Sequence, residues 1–436
     1  MEATLTLIYS ALFCSLVYKS RFFRAPGINA RTSLALFGLK LLAGITLLLI
    51  YTFYYADRET ADIYKYFDDS LIIHELLLKD PGAYFQILIG INSEDPHLLG
   101  ILDKLNYWHK PFESALYNDN RTIIRFNVLA RLISFGSIGV HTVIMCLISY
   151  TGLLAIYKFS VQFVKTKEKI LVFVVFLLPS VLFWGSGLLK EGMLLFALGI
   201  FIYSCDRACS KGLNSKITLS ILFSLWLLLI SKIYIIIAVA PLILAYCWSY
   251  RAGVIPMILR YCLTLCIGLA VLWGIQWMNP DLDLTTMLSN KQGNFMDVAA
   301  MSNANSVYSI PVLEPSVLSI VKSIPIAIIN VLFRPHLGDV DSPMMSLAAL
   351  ENLMILLSLT VSLIFMKKKT ADWNFLFFCI GFVVILYALI GMVTPILGAV
   401  VRYKIPALPF LLLIFLVLFD QEKFILRFSR FKFLKT

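Results

Sequence analysis

The sequence predicts an all-α fold, a polytopic transmembrane helical bundle, and three observations carry that expectation. Of 436 residues, 60% are hydrophobic and 14% charged, where a soluble domain has roughly 45–50% apolar and about 25% charged residues. Mean hydropathy is +0.85. Long apolar runs recur from one end to the other, so positions 1–436 read as a single integral membrane domain rather than a soluble domain with an anchor. The formal net charge of +11 does not point to nucleic acid. The basic excess lies in short loops and the C-terminal tail, where it sets topology. The eight cysteines lie in or beside apolar segments without zinc-ligand spacing and read as small core residues.

Each element follows from hydropathy and from where lysine and arginine fall. The first apolar segment, Ala3 to Val17, has no basic residue ahead of it and no clear cleavage site, so it reads as a retained helix. Lys19, Arg21, Arg24 and Arg31 follow with no acid among them. That loop is therefore cytoplasmic, and the N-terminus outside. The second helix covers about 33–54 and opens into an outer loop, 55–137. Between positions 55 and 120 that loop carries twelve Asp/Glu against five Lys/Arg. It contains amphipathic candidates at Ser70–Leu78, Tyr84–Ile89 and Thr122–Phe135, which suit helices lying in the interface. Pro81-Gly82, Asp95-Pro96 and Asn118-Asp119-Asn120 punctuate them.

A third helix, about 138–158, returns to the lysines at 165, 167 and 169. Helices at about 170–185 and 190–205 form a hairpin, each arm short for a crossing. Its tip runs from Pro179 to Gly192. A second hairpin, 216–249, turns at Ser231-Lys232. Helix 257–277 leads into a second outer loop, 279–344, whose apolar stretch Val317 to Phe333 reads as re-entrant or interfacial. Helices at 345–366, 374–396 and 404–419 close the bundle, and Lys367-Lys368-Lys369 and the basic tail stay inside. The expectation is about 11 transmembrane helices, N-terminus out and C-terminus in. No internal repeat is visible, which lowers the prior for a transporter built of paired halves.

On this topology the unusual polar groups gather at the outer face. Asp57, Glu59, Asp62, Asp68 and Asp69 follow the second helix. Lys190 and Glu191 stand at the first hairpin tip, Lys232 at the second, Arg334 and His336 after the re-entrant stretch, and Arg402 and Lys404 at the last helix. Carboxylates that close to hydrocarbon face water, a cation or a substrate cavity. Acids and cations together suit a substrate with an anionic head and a greasy tail, since arginine forks onto phosphate and lysine meets it as a point charge. A carboxylate there would deprotonate an acceptor hydroxyl or hold a divalent metal ion, which the pattern permits without requiring. Plainer readings stand beside these. The acids make a solvated helix cap, Arg402 and Lys404 snorkel to headgroups, and Tyr64, Tyr66 and Phe67 form an interfacial belt. His74, His97, His109 and His141 have no ligand spacing and read as loop or interface residues.

Two stretches resemble known families. Asp62-Ile63-Tyr64-Lys65-Tyr66-Phe67 resembles the acid followed by aromatics in the first outer loop of the membrane-embedded GT-C glycosyltransferases. Arg402-Tyr403-Lys404-Ile405-Pro406-Ala407-Leu408-Pro409-Phe410 resembles the Arg-Tyr…Pro…Pro-Phe run of their last helices. The chain departs from that class in carrying an extra first helix and in having Asp57 and Asp62 compete for one role. The resemblance implies a polyprenyl-phosphate-linked sugar as donor, a glycan, lipid or protein as acceptor, and a multi-pass protein of the bacterial cytoplasmic (inner) membrane. Asp62 would be the general base, with Asp57 the competing choice. Lys190, Arg334 and Arg402 would hold the donor phosphate, supported by Glu59, Glu191, His336, Lys404 and Arg125. Phe183 to Glu191 is similar to hairpins of O-antigen and exopolysaccharide polymerases, which join lipid-linked repeat units chiefly with outer-face arginines. On that alternative Arg125, Arg334 and Arg402 matter more than Asp62. A transporter of lipid-linked glycan is the third reading, and it expects charges within the spans.

Overall fold

The structure is a computed structural model describing residues 1–54, 58, 61–92, 94–109, 118–164, 167–250, 253–301, 306–367 and 372–427, apart from the side chain of residue 281. Asp57 and Glu59 lie outside the described residues. The described chain is helical and has no named strand, only isolated bridges. In chain order the helices are α1 (Glu2–Lys19), α2 (Ala30–Phe53), α3 (Asp62–Lys79), α4 (Pro81–Ile89), α5 (Pro96–Leu102), α6 (Asp119–Ser134) and α7 (Ile138–Ser160). There follow α8 (Glu168–Phe176), α9 (Pro179–Trp184), α10 (Lys190–Lys211), α11 (Ser215–Ser231), α12 (Ile233–Ser249), α13 (Met257–Met278) and α14 (Leu284–Met301). The last are α15 (Val317–Phe333), α16 (Pro343–Ile364), α17 (Trp373–Val393), α18 (Leu397–Tyr403), α19 (Leu408–Leu418) and α20 (Gln421–Arg427).

Among the described residues six helices are long and apolar enough to cross a membrane: α2, α7, α10, α13, α16 and α17. The pair α18 and α19, bent by 63°, makes a seventh if it is one broken span. Helices α11, α12 and α15 are apolar but shorter. Hydropathy placed most of these bounds closely, and Val317–Phe333 is the apolar stretch itself. Three local features go beyond it. The arm expected at 170–185 is broken into α8 and α9 at Pro179, because a proline drives the residue before it out of helical geometry. The Arg402-Tyr403-Lys404 run sits at the bend between α18 and α19 rather than opening a straight last helix; Pro406 and Pro409 bracket the restart. The loop after α13 holds a further helix, α14.

The chain packs as two compact units. One comprises Met1–Ala155, Val181–Phe201 and Leu219–Ile233; the other comprises Ile156–Ser180, Ile202–Thr218 and Tyr234–Thr436. In the first, α1 packs on α2, and α3 packs on α4 and α6. Its apolar helices approach closely at Gly152 of α7 and Gly199 of α10, where a Cβ on Gly199 would strike the Gly152 carbonyl. Lipid tails are as apolar as leucine, so such small-residue contact, rather than burial from water, draws spanning helices together. In the second unit α17 packs against α14, α15 and α19, and Gly391 lets its backbone meet Ala327 of α15. Phe163 stacks on Phe375 with ring centroids 4.1 Å apart, and Phe382 meets Phe410 edge-on at 5.1 Å.

Candidate functional site in the first unit

The acidic loop folds onto itself through backbone hydrogen bonds. Asp69 of α3, fully buried, accepts the backbone N–H groups of Asn106 (3.0 Å) and Tyr107 (2.8 Å). Burial raises the Asp69 carboxyl above its usual range, and those two donors pull it back. From the other side, Asn120 Nδ2 donates to the Tyr107 carbonyl at 3.0 Å, and Asn118 Nδ2 donates to the Trp108 carbonyl at 3.1 Å. Asn118 is also the N-cap of α6, accepting from the Asn120 N–H at 3.0 Å. Segment 106–108 is thus clamped between α3 and the start of α6.

That clamp sets Asp119 in the first turn of α6, where the helix dipole favours an anion. Its carboxylate bridges two ammonium groups: Lys190 Nζ lies 3.0 Å from Oδ1 and Lys232 Nζ lies 2.7 Å from Oδ2. The three side chains are 10%, 11% and 14% exposed, in that order. Lys190 Nζ also donates to Asn120 Oδ1 and stands 5.3 Å from the Tyr66 ring centroid.

Each lysine is placed by a break between apolar helices. Lys190 opens α10 after the turn Gly185–Leu189. The turn is held from two sides, since Lys40 of α2 donates to Ser186 Oγ at 3.2 Å and the Cys146 thiol of α7 donates to the Ser186 carbonyl at 3.1 Å. Gly44 leaves room for the second of these; a Cβ there would come within 2.7 Å of Cys146 Sγ and 2.8 Å of the Ser186 carbonyl oxygen. Lys232 separates α11 from α12, and Thr122 of α6 donates to the Ile230 carbonyl at 2.5 Å, tying the end of α11 beside Asp119.

The expected site residues fall as follows. Asp62 is the first residue of α3, one turn before Tyr66 and therefore on the same helix face. Glu191 is buried in the first turn of α10. Arg125 of α6 donates to the Ile87 carbonyl at 2.9 Å and covers the Trp108 ring at 5.0 Å. In the second unit Arg334 pairs with Asp339 at 2.6 Å and lies 5.1 Å from the Tyr308 ring centroid. His336 Nδ1 stands 3.4 Å from the same carboxylate. Lys404, 3% exposed, donates to the Arg334 carbonyl at 3.1 Å and to Asn352 Oδ1 at 3.0 Å. Arg402 is half-buried in α18.

Asp119 is the residue that sequence reasoning passed over, as part of a turn. The cue was local: Asn-Asp-Asn directly before an amphipathic run is a helix start. Lys40, alone inside a hydrophobic helix, was equally legible as a charge needing a buried partner. Asn352 and Asp339 had no such cue. Among the described residues no three His, Cys, Asp or Glu side chains gather as a metal site. No family model matches the chain, and no curated protein or solved structure matches it.

Proposed function

We propose that this protein is a membrane-embedded glycosyltransferase, moving a sugar from a polyprenyl-phosphate-linked donor to a glycan, lipid or protein acceptor. It would work at the outer face of a bacterial cytoplasmic membrane. The observation that carries this reading is the Asp119–Lys190–Lys232 cluster, adjoining the α3 face that bears Asp62 and Tyr66. Two ammonium groups at the ends of apolar helices suit a phosphate whose lipid stays in the membrane. As the sugar leaves, negative charge grows on that phosphate, and fixed cations stabilise it more than they stabilise the donor. Asp62 would accept the proton of the acceptor hydroxyl. Arg334 and Arg402, and a divalent metal ion if one is used, belong to the same proposal. The shorter apolar helices α11 and α12, with α1 and the broken α8–α9, would complete about eleven crossings, N-terminus out and C-terminus in.

A transporter of lipid-linked glycan is the second reading, favoured by one observation. Glu351 and Asn352 are buried in α16, and Lys404 reaches Asn352 from the bend between α18 and α19. Buried polar groups at a broken span are what a transport path needs.

The test is transfer of labelled sugar by purified protein in lipid, offered a pool of polyprenyl-phosphate sugars. A sugar on an acceptor, lost in Asp62→Asn with the protein still folded, is the expected result. Full activity in that variant removes Asp62 from the role. Ladders of growing repeat length mean a polymerase, and lipid bound with no bond made or broken means a transporter.

A further inference from the structure

The cluster around Asp119 has a feature that the transfer reaction by itself does not ask for: both lysines already share one carboxylate of the protein. Asp119 gives one oxygen to each ammonium, as two non-bridging oxygens of a phosphate would. We propose that Lys190 and Lys232 form a phosphate seat and that Asp119 is its resident counter-ion, which leaves the lysines when a polyprenyl monophosphate binds. This rests on the glycosyltransferase reading for the identity of the lipid, and on the geometry alone for the exchange.

Charge makes the exchange selective. A polyprenyl-phosphate sugar is a phosphodiester with one negative charge, equal to that of Asp119. The monophosphate left after transfer is a monoester carrying about −1.5 to −2 at neutral pH. Only the monoester balances two lysines better than the carboxylate does, so the seat matches the leaving group rather than the donor. Ser231, immediately before Lys232, is 4% exposed and its hydroxyl has no hydrogen-bond partner among the described residues. The side chains of the cluster keep 10–14% exposure, so the seat is not sealed.

The experiment measures binding of polyprenyl monophosphate to the full chain in phosphatidylcholine nanodiscs, with no sugar and no turnover. Lys190→Met and Lys232→Met should each weaken binding about tenfold. Asp119→Asn should tighten it by a similar factor, because the competing carboxylate is gone. Unchanged or weaker binding in a folded Asp119→Asn protein overturns the proposal.

Asp119→Asn leaves two lysines side by side and so threatens the fold; the charge-balanced pair answers this. Asp119→Asn with Lys232→Met should bind more tightly than Lys232→Met alone, in which Asp119 still occupies Lys190. Equal or weaker binding by the double variant overturns the exchange whatever the single variant does. Inorganic phosphate and phosphatidic acid are the comparison probes. Competition by either at matching concentration keeps the seat and the exchange but assigns them to free phosphate or to any phosphomonoester lipid. Monophosphate binding that follows this pattern without any sugar transfer would sustain the seat while removing the glycosyltransferase reading.

Discussion

Lys190 and Lys232 in the first unit, and Lys404 in the second, are buried cations solved in two ways. The first two share a carboxylate and keep a little exposure, at 11% and 14%. Lys404 is 3% exposed and donates to neutral oxygens, the Arg334 carbonyl and the Asn352 amide, while the buried Glu351 carboxylate attracts it without a direct bond. An ion pair can exchange its anion for another, because the lysines keep their need for negative charge whichever anion supplies it. A lysine held by a backbone carbonyl cannot, since its acceptors are fixed parts of two helical segments. The first arrangement is suited to binding and the second to holding the bend at α18 in place. Lys40 is a third case: at 1% exposed it donates to one hydroxyl, Ser186 Oγ.

These differences predict a graded response to substitution. Asp119→Ala should have the largest effect, because it strands two ammonium groups together. Breaking a buried pair from one side costs about 3–5 kcal/mol, measured as loss of stability in denaturant titration of the reconstituted protein. Adding Lys232→Met should return much of that loss, and no recovery would mean that Asp119 acts through the first turn of α6 rather than through the lysines. Lys404→Met should cost less, about 1–3 kcal/mol in all, because deleting the buried charge returns its desolvation cost and offsets part of the two hydrogen bonds lost. Its damage should appear as faster amide exchange around 397–405, where the bend loses its tie. A loss as large as that of Asp119→Ala would dissolve the contrast between the two kinds of lysine. Lys40→Met should be the mildest. Ser186 keeps its own hydrogen bond to the Leu182 carbonyl, and removing a charge with one neutral partner offsets the lost contact. The melting temperature should hold or rise, and a sharp fall would show that the turn before Lys190 depends on that ammonium.

Much of the fold was legible in the chain, and the reason is local. A helix in a membrane satisfies its own backbone, so length and hydropathy announce it, as they did for α2, α7, α13 and α15. Helix α3 was only half legible. Its apolar second half stood out, while Asp62 to Asp69 read as an acidic exit from the membrane and is in fact its first half. Lys190 was legible as a charge at a hairpin tip, and Lys232 likewise. Asp119 was not, because an acid at a helix start has a sufficient local explanation and nothing nearby marks its partners.

The sequence by itself determined that this is a helical protein with several membrane-length apolar helices, which polar stretches join them, and which charges stand at their ends. Periodicity and transfer cost act over one or two turns and are written in contiguous residues. Only the tertiary structure decided that Asp69 and the start of α6 clamp segment 106–108, and that Lys404 ties a bend to α16. It alone joined Asp119 to Lys190 and Lys232. An ion pair forms between residues far apart in sequence when packing brings their helix ends within about 4 Å, where the Coulomb term exceeds thermal energy. Charge and hydropathy along the chain carry no record of that distance.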